Sequence, residues 1–214
     1  VGKDANVEVL VDISRIGLDG LAHDKKKILI GAGVTALQLT EAVELEGLGL
    51  DALIEAAATA GPSGVRAAMT VGGNVVQCYP WSDLPVALLV FDTRVHVAAL
   101  ENGSKRQNEI ALPALLKRHP TKQLEPSQLV TDFTVSLPGP GFGSAFAKFS
   151  RTVTDYALAT AAASVSLSNT GKKDTAPTIE HLAVSVGAIR PLPILIEGLD
   201  QFCGGPASAL FEDS

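Results

Sequence analysis

Runs and alternations of apolar residues divide this chain into short elements. VEVLVDIS (7–14) has the β-branched content of a buried strand, and ILIGAGV (28–34) predicts a second. The basic run before it, Lys25-Lys26-Lys27 after His23-Asp24, fits the solvated tip of a hairpin. Thr35 is placed to cap a helix over 36–46, with Leu37, Val43 and the leucine between them as its apolar positions. LDALIEAAATA (50–60) predicts a helix closed by Gly61-Pro62, with Leu53, Ala56, Ala57 and Ala60 as its buried stripe. LPVALLVFD (84–92) is apolar all round and predicts a buried helix, capped by Ser82 or Asp83 with Pro85 in its first turn.

The second half reads mainly as strands. TRVHVAAL (93–100) alternates, turns at Asn102-Gly103, and returns through NEIALPALL (108–116) as a strand and a short helix. SQLVTDFTVSLP (127–138) predicts a further strand, closed by Pro138-Gly139-Pro140-Gly141, the best internal boundary. In FGSAFAKFS (142–150), period-2 alternation puts Phe142, Ser144, Phe146 and Lys148 on one face. Rings, a hydroxyl and an ammonium together are an odd choice for a sealed core. DYALATAAASVSL (155–167) reads as a helix or a strand, and the polar turn SNTGKKDTAP follows it. IEHLAVSVGAIR (179–190) predicts a strand, and PLPILIEGLDQFCGG a turn and a helix. The fold class expected is α+β, in two parts, with an antiparallel sheet and a helix on one face after the boundary.

Composition narrows the function. The 214 residues carry 17 Lys+Arg against 23 Asp+Glu, a formal net charge of -6 with no basic stripe, so nucleic acid is not an expected partner. No apolar run reaches the roughly 18 residues of a membrane helix, and no signal-peptide pattern opens the chain; a soluble, cytoplasmic protein is expected. Cys78 and Cys203 stand far apart, which argues against a disulfide framework or an iron–sulfur cluster held by this chain. His23, His96, His119 and His181 are scattered singly, so no metal site is expected. Gly31-Ala32-Gly33 does not complete GxGxxG, because the third position falls on Ala36. A nucleotide enzyme of unrelated fold built on these glycines is accordingly a weak rival.

The stretch TVGGNVVQCYPWSDLP (70–85) carries the most chemistry. Gly72-Gly73-Asn74 suits either a polar hairpin turn or a cradle in which bare main-chain amides approach a pyrophosphate, with Thr70 and Asn74 adding side-chain donors. This stretch, with VLVDISRI, ILIGAGVTALQL, EPSQLVTDFTVSLP, FAKFSRTVTDYALATAAASVSL and VGAIRPLP in the same order, resembles the FAD-binding medium subunit of molybdenum hydroxylases, the family of xanthine and carbon monoxide dehydrogenases.

The resemblance implies a PCMH-type FAD-binding subdomain over 1–138 and an antiparallel-sheet-plus-helices subdomain over 142–214. It further implies that the family's N-terminal βαβ segment, with its first glycine turn of the AGGTDL type, is missing ahead of Val7, leaving an incomplete pyrophosphate clamp. Thr70, Gly72, Gly73 and Asn74 match the family's second glycine turn, and Gln77 lies near the flavin phosphates or ribityl chain. Ser82 and Asp83 match a pair that caps the next helix and contacts FAD, with a plain cap as the other reading of Asp83. Val130 matches a hydrophobic residue near the flavin ring. Lys148 reads either as a cation beside the cofactor or as a solvated lysine, and Phe146 as a ring at the isoalloxazine face or a core residue. Trp81 departs from the small residue usual there and reads as a lid or an interface anchor. The implied role is electron transfer from a small 2Fe-2S subunit, fed by a large molybdopterin-binding subunit, through FAD to NAD, O2 or a quinone. No catalytic residue is expected in this chain. The rival within the family is a flavin-free docking subunit.

Overall fold

In the computed structural model, which describes residues 8–101, 103–137, 139–168 and 177–210, two antiparallel sheets enclose a layer of short helices. The first sheet contains β1 (Leu21–His23), β2 (Lys27–Gly31), β3 (Thr93–Glu101), β4 (Ser104–Ala111) and β5 (Gln128–Ser136), in the order β1-β2-β5-β3-β4. The second contains β6 (Phe142–Phe149), β7 (Ala159–Leu167), β8 (Ile179–Gly187) and β9 (Ile194–Leu195) in sequence order. The helices are α1 (Ala36–Glu41), α2 (Asp51–Thr59), α3 (Ser63–Ala68), α4 (Val71–Gln77), α5 (Asp83–Leu89) and α6 (Leu112–Leu115).

The basic run does form a hairpin tip between β1 and β2, where Asp24 Oδ1 accepts from the backbone N–H of Lys26 and Lys27 at 2.7 and 3.0 Å. Thr35 caps α1 in a reciprocal capping box with Gln38. That helix stops at Glu41 rather than continuing to 46, and Val43 is exposed, while Leu39 and Leu45 carry the burial. The segment 8–14 is not a strand. Val9, Leu10 and Val11 are 73–89 % exposed and pair with nothing among the described residues. A β-branched run supplies propensity only; a strand also needs a ladder partner. Asn102 of the hairpin turn, Pro138 and most of the polar turn after β7 lie outside the described residues.

The buried faces of β2, β3 and β5 (Ile28, Ile30, Val95, Val97, Phe133, Val135) join α2, α4 and α5 in one apolar cluster that extends to Ala162 of β7 and Ala183 of β8. Every residue of α5 is buried; α2 packs on one side of it and β7 and β8 on another. The small residues of β7 let this helix approach closely, which settles 159–167 as strand.

The polar residues on the inner strand faces have a common purpose. A helix leaves its first N–H and last C=O groups unpaired, and here the second sheet supplies partners. Ser185 Oγ donates to Val86 O at 2.6 Å and Ser164 Oγ to Val90 O at 2.5 Å, closing the end of α5. On β6, Ser144 accepts from Ala52 N–H at the start of α2 and donates to Gly49 O. Lys148 Nζ donates to Thr59 O at the other end of α2. Four strand residues and eight helical ones both span roughly 12–13 Å, so β6 runs alongside α2 and meets both ends. Midway, Glu55 Oε2 accepts the N–H of Phe146 at 2.8 Å, an outward group of this edge strand. The mixed face is thus a capping face.

Candidate functional site

TVGGN is a helix start, not a turn. Thr70, with extended backbone, is the N-cap of α4, and its Oγ1 accepts from Gly73 N–H at 3.0 Å. The preceding residues zip against the end of β2 and its loop: Ala36 N–H donates to Met69 O, Val71 N–H to Val34 O and Gly72 N–H to Ala32 O, the last two at 2.8 Å. Asn74 N–H donates to Thr70 O at 2.9 Å. The amides of 71–74 are therefore all engaged, which corrects the expectation of bare amides. The two glycines differ in purpose. A Cβ on Gly72 would lie 2.6 Å from Ala32 Cβ and 2.9 Å from Ala32 O, so this glycine lets α4 close on the loop; a Cβ on Gly73 would meet only Thr70 Oγ1, at 2.8 Å. Gly31 and Gly33 are also packing glycines, their N–H groups donating to Gly20 O and Leu18 O.

Two cavities meet at this helix start. One, of about 480 Å³, is lined by Asn74, Gln77, Tyr79, Trp81, Ser82, Asp83, Lys148 and Tyr156; the other, of about 650 Å³, by Gly33, Thr35, Gln38, Gly72, Leu129 and Val130. Ala68, Thr70 and Gly73 line both. The structure thus brings Thr70, Gly73, Asn74, Gln77, Ser82, Asp83 and Lys148 to one space. Val130 and Gly72 fall in the adjoining one. Phe146 joins neither, packing from the capping face of β6 against the core.

Lys148 is not a solvated lysine. Its side chain is 6 % exposed and its Nζ lies 2.8 Å from Oδ2 of Asp83, itself 2 % exposed at the start of α5. Burial nevertheless dominates: it pushes the Asp83 carboxyl up to about 6, against the opposing pull of the Lys148 hydrogen bond and charge. Ser82 is the N-cap of α5, and no side-chain bond completes the cap. Asn74 Oδ1 and Asp83 Oδ1 are both buried without a hydrogen-bond partner.

Three aromatic rings, two of them beyond the sequence-based candidates, border the same cavity. Tyr79 stacks on Trp81 (centroids 5.2 Å, planes 10° apart), and Tyr156 meets Trp81 at 4.9 Å and 43°. Their loop is held in strained backbone on two sides. Cys78 ends α4 at φ 38°, and Ala188, at φ 65°, donates its N–H to Pro80 O. A lone aromatic in DYALAT gave no signal for Tyr156; only the fold brings it to Trp81.

These residues fit one part of FAD better than another. Buried acceptors without partners suit ligand hydroxyls and ring N–H groups, and flat side chains suit a flat ring. A pyrophosphate needs donors, and of the amides of 71–74 only Gly73 N–H has an exchangeable partner, the rotatable hydroxyl of Thr70, which can itself donate. Among the described residues there is no cluster of His, Cys, Asp or Glu able to hold a metal, and no helix long and apolar enough to cross a membrane.

Known proteins resemble this chain in sequence and in fold. The family described as "FAD binding domain in molybdopterin dehydrogenase" matches residues 2–139. The alpha subunit of the 6-hydroxypseudooxynicotine dehydrogenase complex of Paenarthrobacter nicotinovorans is 34 % identical over 77 % of this chain and 54 % of its own length. The carbon monoxide dehydrogenase medium chain of Afipia carboxidovorans is 28 % identical over 79 % of this chain and 57 % of its own. The chain thus spans little more than half the length of these relatives. Among solved structures, carbon monoxide dehydrogenase from Oligotropha carboxidovorans superposes with a TM-score of 0.74 over 87 % of this chain and 62 % of that one, at 21 % identity. Quinoline 2-oxidoreductase from Pseudomonas putida 86 superposes at 0.68 over 83 % and 57 %, at 17 % identity. The α+β fold of two antiparallel sheets around helices is shared with them.

Proposed function

The chain belongs to the FAD-binding domain family of molybdopterin dehydrogenases, and from that membership we propose that it holds FAD as the medium, electron-transferring part of a molybdenum-dependent oxidoreductase. The observation that carries this reading is the meeting of two cavities at Thr70 and Gly73, with orphaned acceptors and an aromatic rim in one of them. A dinucleotide has the same layout, two ring systems joined through a pyrophosphate. FAD, when bound, supplies the exchange of electrons between one-electron and two-electron carriers.

The chain's own residues position and screen. Asn74 accepts from ligand hydroxyls or ring N–H groups, and Asp83 Oδ1 meets a ligand hydroxyl, which can donate to the carboxylate or accept from the acid. Thr70 surrenders Gly73 N–H to a phosphate and adds its own hydroxyl. Lys148 holds a positive charge beside the site, and Tyr79, Trp81 and Tyr156 cover its rim. Gln77 and Ser82 contribute polar lining, and Val130 an apolar wall to the second cavity. The chain divides in this reading into an FAD-binding subdomain over 1–138 and a second over 142–214. Its proposed partners are a large molybdopterin-binding subunit and a small 2Fe-2S subunit, in the cytoplasm, with NAD, O2 or a quinone as acceptor.

Gly73→Val and Asn74→Ala each lower the flavin content of the purified assembly, read from its visible absorption, because a side chain blocks approach or an acceptor is lost. Unchanged flavin in both sinks the site assignment. The engaged amides of 71–74 favour a second reading, a flavin-free docking subunit; a colourless full-length assembly would establish it.

A further inference from the structure

The proposed electron-transfer role does not explain why a carboxyl group is buried at the start of α5 with only half of its hydrogen-bonding capacity used. Asp83 is 2 % exposed. Its Oδ2 is bound by Lys148 Nζ at 2.8 Å, and that ammonium is shared with Thr59 O at the same distance. Its Oδ1 is buried and has no partner, and the residue lines the cavity together with Asn74, Gln77 and Trp81. A helix-capping carboxylate would normally collect N–H groups of the first turn. An ion pair built for stability alone would satisfy both oxygens. A buried, unpartnered carboxyl oxygen on a residue that lines a ligand space is instead well suited to carry a proton.

The neighbouring charges leave this group isolated. From α2, Glu55 is committed to the N–H of Phe146. From the segment after β6, Asp155 accepts from Tyr156 N–H at 2.8 Å and from Arg151 at 2.9 Å, and these bonds, the first above all, keep its carboxyl low. Tyr79 and Tyr156 also border the cavity. Among the described residues Lys148 is the one cation on its lining. Burial already sets the Asp83 carboxyl near the neutral range, at about 6.

We propose that Asp83 is a redox-linked proton site: it takes one proton from solvent onto Oδ1 as the flavin bound in this cavity gains electrons, and releases it as they leave. The inference rests on FAD occupying the site. Electrons come from a one-electron iron–sulfur donor, the proton comes from water, and the only bond made and broken on this chain is the O–H of Asp83. Negative charge accumulating beside a carboxylate disfavours the carboxylate's own charge and raises its proton affinity. Asp83 is thus ionised beside oxidised flavin at neutral pH and protonated beside reduced flavin. Its work is to offset one of the negative charges that the cavity gains on reduction, which lowers the electrostatic penalty on electrons entering and leaving.

The test uses the purified assembly with its flavin. Flavin content is first read from the absorption of the oxidised form. The sample is then reduced with dithionite at pH 7, and proton uptake is followed with an indicator dye in weak buffer. An infrared difference spectrum is taken alongside. The expected result is one more proton per flavin in the wild type than in Asp83→Asn, with a protonated-carboxyl band that appears on reduction, shifts in D2O and is absent from the variant. Lys148→Met, in which Asp83 stays protonated in both states, also loses the extra proton, so either variant suffices if the other fails to fold. Equal uptake in flavin-loaded wild type and variant, or no such band in the wild type, overturns the proton site while leaving the flavin reading intact. A wild-type assembly without flavin overturns both.

Discussion

Gly72→Ala and Gly73→Ala separate packing from ligand binding at adjacent positions of one helix. In α4 the first glycine touches Ala32 and the second touches only the cap hydroxyl. Adding a methyl at Gly72 puts carbon 2.6 Å from Ala32 Cβ, about an ångström inside the contact distance of roughly 3.5–4.0 Å, with the Ala32 carbonyl behind it at 2.9 Å. The helix must back away, at an overpacking cost of about 1–3 kcal/mol. It also loses the Gly72 N–H to Ala32 O bond, worth about 1 kcal/mol. Better helix propensity returns up to about 1 kcal/mol. The net is a loss of about 2 kcal/mol, or roughly 4–8 °C in Tm for a chain of this size. At Gly73 the obstacle is Thr70 Oγ1, which rotates away at the cost of its cap, about 1 kcal/mol; propensity offsets that, and the net is close to zero. Urea unfolding should be measured on flavin-free protein, because bound ligand adds its own stabilisation. Flavin affinity should then move the other way, Gly73→Ala weakening it without unfolding anything. If Gly72→Ala were as stable as wild type, or Gly73→Ala fell as far, the division between the two glycines would be wrong.

The buried ion pair and its pH dependence give the other predictions. Lys148→Met strands Asp83 and uncaps α2, and should cost about 3 kcal/mol at pH 7, near the low end for broken buried pairs because the carboxyl can take a proton; Lys148→Met with Asp83→Asn should recover part of it, and urea midpoints of the three proteins decide. The Asp83 carboxyl is raised from 3.8 to about 6 on folding, so the folded chain binds the extra proton between those values and stability falls as pH rises through them. Two units correspond to about 3 kcal/mol, so wild type should lose about that much relative to Asp83→Asn between pH 4 and pH 7. A gap that stays constant, or widens in favour of wild type, would show that Asp83 is charged and well solvated by its partners throughout.

The sequence disclosed what depends on local pattern and concealed what depends on approach. The stripe of α2, the wholly apolar α5 and the alternation of β3, β5 and β6 are local, and they stand close to where periodicity put them. The helix α4 was illegible because two glycines in VGGNVV argue for a turn, each costing a helix about 1 kcal/mol. The reason for the first is Ala32, forty residues back. The run 8–14 misled in the opposite way, its β-branched residues signalling a strand that has no described partner. In FGSAFAKF the period was readable but the chemistry was not. Ser144 caps a helix start 92 residues away, and Lys148 joins a helix end and a carboxyl 89 and 65 residues away. The candidate residues Asn74, Asp83 and Lys148 were each visible through resemblance, whereas their meeting in one cavity, and the exclusion of Phe146 from it, belong to the fold.

The treatment of helix ends elsewhere gives the unpaired oxygens their meaning. The carbonyls of Gly49, Thr59, Val86, Leu88 and Val90 each receive a side-chain donor, from Ser144, Lys148, Ser185, Thr93 and Ser164, four of them from the second sheet. A fold that reaches so far to satisfy buried acceptors leaves few unsatisfied: among the described residues the buried orphans are Arg66 Nε, Asn74 Oδ1, Asp83 Oδ1 and Thr160 Oγ1. Two of these four border the same cavity, beneath a strained loop that carries Trp81. Each costs about 1–3 kcal/mol while unpaired, more where the group is charged. A ligand presenting a donor to Asn74 and a hydroxyl, able to donate or accept, to Asp83 recovers that cost on binding, so the atoms that cost stability while unpaired strengthen the hold on the ligand.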